Sequence, residues 1–147
     1  MAPELEFYLC EQNLDPDLPL KTPVGKSGRR ESGSRVFGID AVNEFDALTD
    51  DIYDYCELME IGVDTLVHES GPSQIEINLN HGDPLALADQ AFMFKRAVRQ
   101  VALKHGIHAT FMAKPYQGQP GSSMHIHQNL VNTKTGVNLF SDKEGNN

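Results

Sequence analysis

The stretch "PELEFYLC", residues 3–10, alternates strictly: Glu4, Glu6 and Tyr8 fall on one parity, Leu5, Phe7 and Leu9 on the other. Period-two alternation is the signature of a strand with one face on a core and one face open. Such a strand needs helices to cover its apolar side, and it places two carboxylates together on its other side. Both requirements can be traced outward along the chain.

A second alternating run, "SQIEINL" (73–79), sets Gln74, Glu76 and Asn78 against Ile75, Ile77 and Leu79. It follows "VDTLVHE" (63–69) after the turn signal "SGP", so the two read as a hairpin. Helical spacing appears at Phe45, Leu48, Ile52, Cys56 and Met59, predicting an amphipathic helix over 43–60. Its opposite side carries Asp46, Asp50, Asp54 and Glu57, read as a solvated face. Asp83 and Pro84 supply an N-cap and first-turn proline for a longer helix, which Gly106 ends. Its stripe is Leu87, Ala91, Phe94, Val98 and Val101, with Arg96 and Arg99 toward the wet edge. "HATFMA" (108–113) and residues 122–131 read as strands around the turn "KPYQGQPG", and "GVNLF" (136–140) as a short last strand. The expected order is β, flap, α, β, β, α, β, β, β. It defines an α+β fold with a mostly antiparallel sheet and helices on one face.

Between the first strand and the first helix lies "NLDPDLPLKTPVGKSGRRESGSR" (13–35), rich in Pro, Gly and Ser. Residues 11–35 hold five of the chain's twelve basic residues. A connection of that length reads as a functional flap. The chain enters a full strand within three residues of Met1 and stops at "DKEGNN" just after "GVNLF", the pattern expected of a piece of a longer domain.

Bulk properties narrow the partners. A formal charge of −9 over 147 residues argues against nucleic acid or an anionic membrane as partner and favours cations. Apolar runs are too short to span a bilayer and no secretory signal pattern opens the chain, so a cytoplasmic location is expected. Cys10 and Cys56 stand alone in apolar patterns, as buried reduced thiols do.

The run "GSSMHIHQNL" (121–130) places His125 and His127 on one strand face, with Met124, Ile126 and Gln128 on the other. Alone, the pair reads more readily as one hydrogen-bonded and one solvated imidazole than as a site. Its company is more specific: Glu4 with Glu6, His68 with Glu69, Gln74 with Glu76, and no lysine in any pair. Clustered carboxylates repel unless a cation neutralises them, and oxygen ligands with an imidazole suit Mg²⁺ or Mn²⁺. A carboxylate pair that cleaves glycosides is the rival reading. There is no Gly-rich nucleotide loop and no GxSxG nucleophile motif. Ser122 and Ser123 read as strand or turn residues.

"PELEFYL", "HESGPSQIEINL", "ATFMAKP" and "GSSMHIHQNL", in this order, resemble the catalytic core of the type I glutamine synthetase family over nearly the whole chain. That resemblance implies a partial catalytic domain over residues 1–147 of an ATP-dependent ligase. Such a ligase joins the γ-carboxylate of glutamate to ammonia or an amine through a γ-glutamyl phosphate, with Mg²⁺ or Mn²⁺. It implies that Glu6, Glu69 and Glu76 ligate one metal, and Glu4 and His125 a second. His127, Asp64 and Asn129 fall at nucleotide positions, and Gly121 at a contact to glutamate. Departures are Pro120 where an Asn is usual, Asn129 in place of a Ser, and Asp64 in place of a Glu. The "PGSSMHIHQ" form, together with "GIDAVNEFD" after the flap, is more similar to the branch that uses polyamines. The resemblance further implies that the full-length protein forms a homo-oligomeric ring. The 147-residue chain alone is expected neither to form it nor to turn over, and no catalytic residue is assigned within it. Glutamine synthetase proper and a non-catalytic metal-binding module of the same fold remain the alternatives.

Overall fold

The computed structural model describes residues 1–142. Its first strand, β1 (Ala2–Glu11), is the spine of a five-stranded sheet. Chain order continues with α1 (Ile39–Asn43), α2 (Asp46–Leu58), β2 (Val63–His68), β3 (Gln74–Leu79), α3 (Pro84–Lys104), β4 (Ile107–Thr110) and β5 (Met124–His127). All pairings are antiparallel. β3 lies on one side of β1 in the register Glu4–Asn78, Glu6–Glu76 and Tyr8–Gln74, with β2 beyond it.

The other side of β1 is shared. β4 pairs with Tyr8–Glu11 and β5 with Ala2–Leu5, both running the same way, so they form one broken strand. Residues 111–123 leave the sheet between them and return opposite Glu6, whose N–H donates to the Ser123 carbonyl at 3.1 Å. The neck of this excursion is closed by Ser122 N–H to Ala113 O at 2.9 Å. A β-carbon on Gly121 would approach that same Ala113 oxygen to 2.8 Å, so glycine is needed there.

α2 and α3 cover one sheet face. Leu5, Phe7 and Leu9 of β1 and Ile75, Ile77 and Leu79 of β3 pack against Leu48, Ile52 and Cys56 of α2 and Ala91, Phe94, Val98 and Val101 of α3. Parity alone turns the acids of β1 and β3 away from this core. The α+β architecture and helices on one face agree with the sequence reading. Both cysteines are buried and free, and burial raises each thiol to about 11.

Four element boundaries differ. The helix expected over 43–60 breaks at Glu44 and Phe45, where the flap takes over: Lys26 N–H donates to the Glu44 carbonyl and Ser27 N–H to its carboxylate. "HATFMA" and 122–131 shorten to four residues each because β1 offers each only half an edge. "GVNLF" forms only a bridge, Val131 to Asn138. The turn-rich reading of "DKEGNN" falls, beyond Asp142, outside the described residues.

Candidate functional site

The open face of β1, β3 and β5 collects the acids. Glu4 of β1, Glu76 of β3 and His125 of β5 each bring a ligand atom within 4.8 Å of the others. Glu4 is flanked by both imidazoles, at 3.2 Å from His125 Nδ1 to its Oε2 and 2.8 Å from His127 Nε2 to its Oε1. The two histidines share a face, as their spacing requires, and one carboxylate serves both.

Glu6 is buried and held by three hydrogen bonds. Its Oε2 accepts from Gln74 Nε2 and from Ser123 N–H, each at 3.0 Å, and its Oε1 accepts from Ser123 Oγ at 2.6 Å. Gln74 is the hub behind it. Its amide also donates to the Gly121 carbonyl at 3.0 Å, and its Oε1 accepts from Gly71 N–H at 2.9 Å. Tyr8 reaches the same loop, donating to Pro120 O at 2.8 Å. Burial, then the charges of Glu6 and Glu69, push its phenol up to about 12.

Glu76 sits among like charges. Burial, followed by Glu4, Glu69 and Glu6, raises its pKa, and a hydrogen bond from Asn78 only partly offsets this. Four acids therefore crowd one face. Asn78 Oδ1, beside them, is buried without a hydrogen-bond partner. Crowded carboxylates, an orphaned amide oxygen and one imidazole within reach make a donor set that fits a hard divalent cation such as Mg²⁺ or Mn²⁺.

The expected site residues distribute unevenly. Glu4, Glu76 and His125 converge, drawing members from both expected metal groups. Glu6 and Glu69 border Glu76 closely enough to act on its charge, and Glu69 Oε2 accepts from Ser70 N–H at 3.1 Å. His127 joins the cluster through Glu4. Gly121 is fixed by Gln74. Asp64 is exposed on β2 and acts on Tyr53 of α2, raising its phenol after burial and Cys56. Asn129 is exposed in the segment after β5. His68, grouped by sequence with the open-face pairs, is buried on the other parity of β2. Adjacent strand residues point to opposite faces, so His68 and Glu69 cannot share one.

Sequence reasoning missed Ser123, Asn78 and the hub role of Gln74. Gln74 and Asn78 carried a signal, since they share the parity of Glu76. Ser123 carried none, because its contact depends on the excursion 111–123.

The glutamine synthetase catalytic-domain family model matches residues 1–147, and the chain belongs to that family. It is 43% identical over 147 residues to gamma-glutamylputrescine synthetase PuuA of Escherichia coli strain K12, covering 99% of this chain and 31% of that protein. It is 34% identical over 145 residues to glutamine synthetase of Pyrococcus horikoshii, covering 99% of this chain and 30% of that protein. Among solved structures, GmaS without ligand superposes with a TM-score of 0.74 at 28% identity, covering 98% of this chain and 32% of that one. The chain thus spans about a third of the length of the relatives it matches.

Proposed function

We propose that the protein is an ATP-dependent carbon–nitrogen ligase that joins the γ-carboxylate of glutamate to an amine through a γ-glutamyl phosphate, with Mg²⁺ or Mn²⁺ as cofactor. The observation that carries this reading is the convergence of Glu4, Glu76 and His125 on the open sheet face of a glutamine synthetase family chain. Glu4, Glu6, Glu69, Glu76 and His125 would hold the cations. Bound there, a divalent ion neutralises phosphate charge and so lowers the barrier to phosphoryl transfer.

The chain's own residues prepare the face for this chemistry. Gln74 and Ser123 fix the orientation of Glu6 before any ligand arrives, which avoids an ordering cost on binding. Gln74 also fixes the Gly121 carbonyl, holding the loop that would meet glutamate. His127, exposed beside Glu4, would face the nucleotide, with Asn129 and Asp64 as further nucleotide contacts. An organic amine rather than ammonia as acceptor is supported by the higher identity to the putrescine ligase, and by Pro120 and Asn129 at departing positions. Glutamine synthetase proper is the second reading, favoured by the relatives at 34% identity.

The coverage of about a third of each relative supports two further points: these 147 residues alone do not turn over, and the ring assembly belongs to the full-length protein. A cytoplasmic location completes the proposal; no helix among the described residues is long and apolar enough to cross a membrane.

The test is an assay of the intact protein with ATP, glutamate and a panel of ammonia, putrescine and longer polyamines. ADP release that requires an amine and is abolished by EDTA is the expected result. Amine-independent or metal-independent hydrolysis would support the carboxylate-pair hydrolase instead. No product with any amine, despite cation binding, would leave the non-catalytic module.

A further inference from the structure

The flap meets the turn that carries Glu69 at one buried polar contact. His68, 1% exposed, has both ring nitrogens engaged: Nδ1 lies 2.8 Å from the Glu69 carbonyl and Nε2 lies 3.0 Å from Glu31 Oε2. A carbonyl can only accept, so Nδ1 is the donor there, and Nε2 faces the Glu31 carboxylate. The same Glu31 oxygen accepts from Ser73 N–H. The His68 carbonyl in turn accepts from Phe37 N–H at 2.9 Å, where the flap runs into α1. Glu31 therefore reaches from the flap to both ends of the "HESGPS" turn, which carries Glu69 at one end and leads into Gln74 at the other.

This contact is a poor device for stability alone. Glu31 Oε1 and Ser73 Oγ are buried without partners, and Ser73 holds a left-handed φ of 57°, disfavoured for a residue with a β-carbon. Buried charged pairs return little net stability against apolar packing of the same volume. The flap's other side-chain ion pairs, Arg30 with Glu11 and Lys26 with Asp46, are exposed and individually weak. What the buried contact does supply is position. It fixes the backbone of Glu69 from one side while Glu69 N–H is held by the Gln74 carbonyl at 2.9 Å from the other.

We propose that Glu31 and His68 form a latch that positions Glu69 at the acidic face and couples docking of the flap to cation binding there. His68 and Glu31 are positioning residues, acting through Glu69. The latch rests on the reading of Glu69 as part of a cation site. Because coupling is reciprocal, a bound cation holds the flap down as much as the docked flap improves the cation site.

Two readouts on the intact protein test it: Mn²⁺ affinity by electron paramagnetic resonance, and tryptic cleavage within the flap, whose Lys21, Arg29 and Arg35 are exposed. In the wild type, Mn²⁺ slows flap cleavage. Glu31→Ala weakens Mn²⁺ affinity by about 10-fold or more, the usual effect of losing a residue that orients a ligand, and speeds cleavage. His68→Gln keeps a partner for Glu31 and loses the bond to the Glu69 carbonyl, so it retains flap protection but not full affinity. Glu31→Gln, which conserves shape, restores most of both. Circular dichroism identifies any variant that fails to fold, and the two glutamine variants then carry the test. A wild type that does not bind Mn²⁺ overturns the cation site and the latch with it. Binding that is normal in the wild type and unchanged within about twofold in Glu31→Ala overturns the latch alone, as does flap cleavage indifferent to Mn²⁺.

Discussion

Glu76 concentrates the electrostatics of the molecule. Its folded pKa lies above the ordinary glutamate range because burial and three neighbouring carboxylates, Glu4, Glu69 and Glu6, oppose its ionisation. The unfolded chain carries no such opposition. The contribution of Glu76 to stability is therefore fully present below the ordinary glutamate pKa, and is lost as pH rises through its raised folded value. Cation-free protein should melt at progressively lower temperature across that window, and Glu76→Gln should flatten the decline. Mn²⁺ should also abolish it, since a bound cation favours the ionised form. Melting profiles of the two proteins that run parallel with pH would show that the acids do not interact as the geometry requires. Sequence parity was enough to put Glu4, Glu6 and Glu76 on one face. It could not show that Gln74 and Ser123 orient Glu6 through three hydrogen bonds, because that arrangement depends on where residues 111–123 re-enter the sheet.

At the scale of elements, α3 and β1 were the most legible parts of the chain. The Asp83 side chain accepts from Leu85 and Ala86 N–H at 3.0 and 3.1 Å, and Pro84 follows at the first turn, so the cap written in the sequence is the cap that forms. Asp83→Ala should cost about 1 kcal/mol in urea unfolding. Phe94→Ala, which empties a fully buried site between α3 and the sheet, should cost about 3–5 kcal/mol. A reversed order would mean that the helix is held by its end rather than by its buried stripe. The elements misread were those whose limits are set by distant partners. β4 and β5 are short because they divide one edge of β1, and α1 and α2 separate because the flap binds Glu44. No local pattern records either event, just as nothing near Glu31 announces its contact with His68 37 residues away.

Across the whole molecule, one sheet separates two environments. Two helices and the apolar parity of β1 and β3 make the core, and the opposite parity makes an acidic surface with two imidazoles at its rim. The net charge of −9 favours attraction of cations to such a surface. The chain belongs to the glutamine synthetase family and spans about a third of the length of the relatives it matches. If the face formed by Glu4, Glu76 and His125 is a divalent-cation site, it binds Mn²⁺ saturably. Mn²⁺ titration of the intact protein, followed by electron paramagnetic resonance, tests it most directly. Saturable binding that weakens by about 10-fold or more in both Glu4→Ala and Glu76→Ala is the predicted result; absence of saturable binding, or affinity unchanged in both variants, would contradict it.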